Sequence, residues 1–323
     1  MSGPPETPRP KSVFRSQFGI EVALLAELTL FAILSPHFLS TDNLLNVSLQ
    51  VSITAIIAVG MTFVILTNGI DLSVGSLVAF VGVIATSMMA LPLPIFITLA
   101  LAILGGLLIG AASGFLAGLV ITRFRITAFI VTLALMTILR GAAFIYTQGR
   151  PIWELPDTFK LLASERIIGI PVPTVIMVLV YIFAQITLTR TRFGRYIYAV
   201  GGNPEAARLA GIRTDRVLIQ VYTLCGVLTA LSGILLASRL NSGQPNAGIM
   251  YELDVIASVV VGGTSLNGGR GSIVGTFIGS MLIAVLRNGL NLLDVESYVQ
   301  QVVVGVVILL AVMVDQFRVK KQA

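Results

Sequence analysis

Charge is scarce in this chain. Only 11% of its 323 residues are Asp, Glu, Lys or Arg, against roughly a quarter in soluble domains. So few charges cannot cover the surface of a protein this large in water. There is one Cys, Cys225, and one His, His37. A single thiol forms no disulfide within the chain and no thiolate metal cluster. One imidazole and one thiol also leave no clustered catalytic constellation. His37 follows Ser-Pro at the end of the first hydrophobic segment, where interfacial placement is a simpler reading than a ligand or proton relay. Lysine is missing beside every glycine cluster. A phosphate loop needs Gly-x4-Gly-Lys-Ser/Thr; starting at Gly263, the Lys position is Gly269 and the next is Arg270. The chain is therefore expected to have no ATP site, no cofactor and no enzymatic activity of its own.

Apolar residues are abundant. They make up 56% of the chain, with 31 Gly and 13 Pro, and small or kinking residues are frequent in packed membrane helices. A helix rising 1.5 Å per residue needs about 20 apolar residues to cross the hydrocarbon core. Segments near that length fall at 20–39, 46–66, 72–90, 94–121, 126–147, 172–189, 217–238, 252–263, 271–290 and 297–315. The eighth is too short for a regular span and predicts a broken or tilted helix. Residues 1–17 are polar and Pro-rich and read as a disordered tail. The next segment, with Glu21 and Glu27, lacks a small-x-small cleavage site and reads as a retained first helix. With the N-terminus inside and ten crossings, fifteen of the 21 Lys and Arg fall in inside segments, as membrane topology requires. The net charge of +6 is thus distributed between spans and does not point to nucleic acid. The expected fold is an all-α polytopic membrane protein with about ten transmembrane helices, one or two of them broken or short, and both termini cytoplasmic. Residues 18–316 form a single transmembrane domain, followed by a cytoplasmic tail at 317–323. Tyr146, Trp153, Tyr196 and Tyr198 fall near predicted interfaces, where aromatic anchoring is the simplest reading.

Two loops and two turns carry the remaining signals. Residues 148–171 fall outside and, with mixed charges, Trp153 and several Pro, predict a small ordered cap. Residues 190–216 fall inside. There Asn203 is a helix cap, Pro204 suits the first helical position and Glu205 complements the dipole. Gly211 suits a left-handed ending. The product is a helix of about two turns, and Ala206, Ala207 and Ala210 leave room for a close surface. It is either a basic loop stabilised by lipid headgroups or a docking helix for a cytoplasmic partner. The segment TNGIDLSVGS (67–76) interrupts two apolar runs: Asn68 and Gly69 signal a turn, and Asp71 or Ser73 can cap the next helix. The segment GGTSLNGGRGS (262–272) follows Glu252 and Asp254. It aligns with the first at an offset of 196, placing Asn267 opposite Asp71, which hints at an internal repeat. Asn68, Gly69, Asp71 and Ser73, with Gly262, Gly263, Thr264 and Asn267, are either capped turns or broken helices lining a pathway. Arg140 and Glu27 lie within spans, where charges pair, snorkel or serve transport.

Glu205-Ala206-Ala207, three residues, then Gly211 resembles the EAA-x3-G signature of ABC importer permeases. The wider segments VGMTFVILTNGIDLSVGSLVAF, TRFGRYIYAVGGNPEAARLAGI and YELDVIASVVVGGTSLNGGRGSIVGTFIG, with NGLNLL near the end, look like the ribose-type sugar permeases. The resemblance covers roughly residues 35–315. It implies that Pro204, Glu205, Ala206, Ala207 and Gly211 form the coupling helix on a separate ATPase subunit. It also implies a homodimer, an extracytoplasmic sugar-binding protein, and a simple sugar, ribose or a similar pentose, as cargo. The location it implies is the bacterial inner membrane. Three rivals stand beside it. An ion-coupled secondary transporter would depend on a mid-membrane acid such as Glu27. A membrane enzyme would need clustered His, Asp or Cys, and a passive facilitator would ignore ATP.

Overall fold

The computed structural model describes residues 12–153 and 155–320. Through them run α1 (Ser12–Leu34), α2 (Thr41–Leu66), α3 (Val74–Met89), α4 (Ile95–Phe124), α5 (Ala128–Thr147), α6 (Asp157–Ser164), a hairpin of β1 (Arg166–Ile167) and β2 (Ile170–Pro171), α7 (Val172–Arg190), α8 (Arg192–Gly202), α9 (Pro204–Leu209), α10 (Thr214–Leu240), α11 (Tyr251–Val261), α12 (Ile273–Leu292) and α13 (Ser297–Lys320). Each of the ten expected apolar segments coincides with one helix. Six of them (α2, α4, α5, α7, α10 and α12) are long and apolar enough to cross a bilayer, and α3 and Ser297–Leu310 are shorter apolar helices. The chain is a helical, multi-pass membrane protein.

Local chemistry explains where the helices end. Of the expected tail, residues 1–11 lie outside the described residues, whereas α1 begins at Ser12. It stops at Leu34, five residues before the expected end of that span. Pro36 cannot continue a helix and restricts Ser35 before it. The Ser40 side chain then caps α2 by accepting from the Asn43 amide. At the other terminus α13 continues to Lys320, past the expected boundary at 316; residues 321–323 lie outside the described residues.

The core is centred on α2 and α10. From Val51 to Leu66 every residue of α2 except Thr54 is buried. Helix α10 lies against α2, α3 and α4. Its contact with α4 is a seam of small residues at helical spacing: Gly110, Gly114 and Gly118. A Cβ at Gly110 would overlap the Gly226 carbonyl, one at Gly114 would overlap that of Tyr222, and one at Gly118 would come 2.7 Å from Ile219 Cα. Such stripes let backbones approach where lipid supplies no hydrophobic drive for association. The other face of α4 exposes Phe96, Leu104 and Leu108, as a lipid-facing surface does.

Contacts between elements sort to two ends. At one, Arg125 makes two bonds of 2.9 and 3.2 Å to Asp215, joining the end of α4 to the start of α10. The basic 190–216 segment and Arg270 lie at this end, hereafter the basic end. At the opposite end, residues 148–153 and 155–171 form a cap of one short helix and a hairpin. Ile152 pairs with Gly243, and Ser238 Oγ donates 2.6 Å to the Phe159 carbonyl of α6.

The short eighth span is broken. After α10, residues 241–250 turn back into the bundle without helical structure. Arg140 of α5 holds this segment, donating 2.8 and 2.7 Å bonds to the carbonyls of Pro245 and Ala247. Irregular backbone at membrane depth persists only where its polar groups are satisfied, and Arg140 does that here. Gly75 of α3 packs on Gly248 so tightly that any side chain would overlap its carbonyl. The eleven residues of α11 then rise about 16 Å, near half the hydrocarbon thickness.

Candidate functional site

The 190–216 segment folds into two helices at an angle set by Asn203. Thr191 caps α8 by accepting from the Gly194 amide at 3.2 Å. Helix α8 is amphipathic: Gly194, Ile197, Val200 and Gly201 are buried, while Arg192, Arg195 and Tyr196 are exposed. Asn203 leaves helical geometry and its Oδ1 accepts from the Ala206 amide at 2.9 Å, which starts α9 with Pro204 at its first position. Gly211 has φ +82°. Its amide bonds the Arg208 carbonyl, and that of Ile212 bonds the Ala207 carbonyl, the paired closure of a Schellman ending.

Of the expected docking residues, Pro204, Glu205, Ala206 and Gly211 are exposed and Ala207 is buried at 4%. Ala207 therefore anchors α9 to the body while the others face outward. The most prominent outward group was not singled out from sequence: Leu209 is 89% exposed at the tip of α9. In a six-residue helix no periodicity marks it. Beside it, residues Arg208 and 211–216 line an open groove of about 450 Å³, with Arg208, Arg213 and Arg216 giving it positive charge.

The two helix breaks share one geometry. Helix α2 ends with Asn68 at φ +62°, and the amides of Asn68 and Gly69 bond the carbonyls of Ile65 and Val64. Helix α11 ends with Gly263 at φ +88°, and the amides of Gly263 and Thr264 bond those of Val260 and Val259. Asn68 thus corresponds to Gly263, an offset of 195 rather than the expected 196. The helix starts that follow, Val74 and Ile273, differ by 199. The second break is therefore four residues longer, and a gapless alignment across it does not hold.

The breaks differ in what closes them. Asp71 is buried at 2% exposure, and its Oδ1 accepts from the Ser73 amide at 2.9 Å and the Ser73 hydroxyl at 2.6 Å. Ser73 precedes α3 without capping it by its side chain; the turn is braced by Asp71 instead. Gly69 lies against the Tyr222 hydroxyl of α10. In the second break Ser272 caps α12, accepting from Gly275 at 3.0 Å, and Thr264 is buried while Gly263 and Asn267 are exposed. Helix α11 packs back on α12 through Gly262 and Gly275.

The breaks and the basic-end helices meet at one joint. The Gly269 amide donates 2.9 Å to the Leu66 carbonyl, bridging the breaks. Tyr198 of α8 donates 2.8 Å to the Gly271 carbonyl, and burial pushes its phenol pKa up, keeping it a donor. A Cβ on Gly201 would overlap the Leu66 carbonyl and approach Gly269 N to 2.7 Å. Three motifs separate in sequence are thus one structural unit, and Tyr198 is a strut within it rather than an interfacial anchor.

The chain is thus a multi-pass helical membrane protein whose exposed basic-end helix is joined to two broken spans. Residues 43–312 match the family described as the branched-chain amino acid transport system / permease component. Among curated proteins the chain is 49% identical over 305 residues to the ribose import permease protein RbsC of Escherichia coli K12, covering 93% of each chain. It is 47% identical over 303 residues to RbsC of Bacillus subtilis, covering 93% of this chain and 92% of that one. It is 38% identical over 294 residues to an L-arabinose ABC transporter permease of Azospirillum brasilense, covering 90% of this chain and 86% of that one. No solved structure matches the chain. The chain belongs to this family of ABC importer permeases, with the ribose-type sugar permeases as relatives, and it resides in the bacterial inner membrane. These relatives give no support to the ion-coupled reading.

Proposed function

We propose that the chain imports ribose or a closely similar pentose, as the membrane subunit of a transporter energised by a separate ATP-binding subunit. In this reading it has no ATPase site or cofactor, crosses the bilayer ten times with both termini inside, and works as a homodimer. A sugar-binding protein delivers cargo to the opposite end. The carrying observation is α9: a capped helix with Leu209 89% exposed, set on the end where the arginines gather. Exposed Leu209 and Glu205 beside a basic groove suit a protein socket better than lipid headgroups, which would favour the arginines alone.

The mechanism follows from the joint. Closure of the ATPase pair displaces α9 and, through Asn203, α8. Helix α8 bears on Leu66 and Gly269 through Gly201 and on Gly271 through Tyr198. Its movement therefore changes the angle at which α2, α11 and α12 meet. In this reading Asn68, Gly69, Asp71 and Ser73, with Gly262, Gly263, Thr264 and Asn267, act as gate hinges rather than as groups that hold the sugar.

The test is reconstitution with a candidate ATPase subunit and ribose-loaded binding protein. Wild type takes up ribose only with ATP. Leu209→Asp and Gly211→Val lose co-purification of the ATPase or its stimulation, while detergent-solubilised helix content is retained. Uphill uptake without ATPase, or unchanged uptake in both variants, refutes the reading.

A further inference from the structure

The charges of the opposite half are brought together by α11. Asp254, buried on its first turn, accepts a 2.6 Å bond from Arg287 of α12, whose side chain is 34% exposed. Its neighbour Glu252 is within electrostatic reach of Arg140, and its carboxylate lies against Gly75 where no Cβ fits. Arg239, from the end of α10, faces Tyr251. Helix α12 carries Arg287 fourteen residues beyond its start at Ile273, about 21 Å along its axis. Asp254 lies seven residues, about 10 Å, from the α11 end at Val261. The constellation thus begins near mid-depth.

Around the buried Asp254 the other members are only partly covered. Arg140, Arg239, Tyr251, Glu252 and Arg287 all retain exposure. Charges at this depth are too costly to face lipid and instead face protein or a water-filled path. The Nε of Arg287 is buried with no hydrogen-bond partner. Three arginines against two carboxylates nearly balance, and Arg140 is already engaged with backbone carbonyls. What remains is an acceptor and a donor side by side, with little net field. That suits a neutral polyhydroxyl compound, each of whose hydroxyls both donates and accepts, better than an ion. Irregular backbone leading into a half-helix is also where transporters place midplane sites.

We infer that Asp254 and Arg287, with Glu252 beside them, form a sugar-holding station inside the permease, distinct from the coupling joint. This rests on the reading of the chain as a sugar permease. Asp254 accepts from one hydroxyl and Arg287 donates to its neighbour as the cargo passes.

The test uses the reconstituted complex with radiolabelled D-ribose, and with L-arabinose and D-xylose as competitors. Wild-type uptake must first be present; its absence counts against the sugar-permease reading, not the station. Asp254→Asn is expected to lower ribose uptake at least tenfold while stimulated ATP hydrolysis stays within twofold of wild type. Asp254→Glu keeps the charge pair and is expected to shift the preference among the three pentoses at least fivefold. The exchanged pair, Asp254→Arg with Arg287→Asp, is expected to remain inactive. Restoration of uptake by the exchange, or an unchanged pentose preference in Asp254→Glu, overturns the station and leaves a structural ion pair. If Asp254→Asn fails to fold, Asp254→Glu carries the decision alone.

Discussion

The two helix breaks end their first helices in the same way and then diverge. The first is seven residues long, 67–73, braced inside by Asp71 on Ser73 and from outside by the Thr132 hydroxyl of α5, which donates 3.2 Å to the Ile70 carbonyl. The second is eleven residues long, 262–272; it turns on itself through the Ser265 amide on the Arg270 carbonyl and the Gly268 amide on the Ser265 carbonyl, and it also bonds Leu66 and Tyr198. The first is a fixed corner packed on Tyr222. The second, rich in glycine at positive φ, adds to its internal turn bonds to the end of α2 and to α8. In the mechanism proposed above, the first break is the fulcrum of the hinge and the second its lever. The extra four residues are what allow the second loop to reach across.

Predictions that break or sharpen this contrast run from large to small. Gly201→Val places atoms on the Leu66 carbonyl and separates the two breaks; transport is expected to vanish, with ATPase stimulation lost in the same assay. Asp71→Ala removes two hydrogen bonds inside the fixed corner and orphans buried Ser73, costing about 1–3 kcal/mol. It is read as a lower midpoint of thermal unfolding in detergent, with ATPase coupling intact in the surviving protein. Gly263→Ala forces a side chain into left-handed geometry at about 1–2 kcal/mol and is expected to slow uptake more than it lowers stability. Tyr198→Phe loses one bond to the second break, about 1 kcal/mol, and is expected to reduce uptake per ATP hydrolysed while the unfolding midpoint hardly moves. If Asp71→Ala uncouples hydrolysis and Tyr198→Phe does not, the roles of the two breaks are reversed.

Much of the 190–216 segment was legible in the sequence because its signals are local. Asn203-Pro204 announces a helix start and Gly211 a left-handed end within eight residues, and α9 lies between them. Asn68-Gly69 announces a turn, although Asn68, not Gly69, takes the left-handed position. Arg140 was visible as a charge in a span, but its partners, the Pro245 and Ala247 carbonyls, lie more than a hundred residues on. The Asp254–Arg287 pair was illegible for a different reason: Arg287 reads as a residue near a span end until α11 is seen to be a half-helix. Leu209 carried no signal, since one leucine in a short polar loop has no pattern to violate.

Residence in lipid, the positions of the helices and the turns that end them were determined by the sequence alone. Hydropathy, hydrogen-bond capping and the conformations open to Asn, Gly and Pro act within one or two helical turns. Which break touches which, that α8 bears on both, and that opposite charges meet beside a half-helix were decided only by tertiary structure. Those contacts depend on how closely glycine-bearing backbones approach, a property of pairs of helices that no single segment contains.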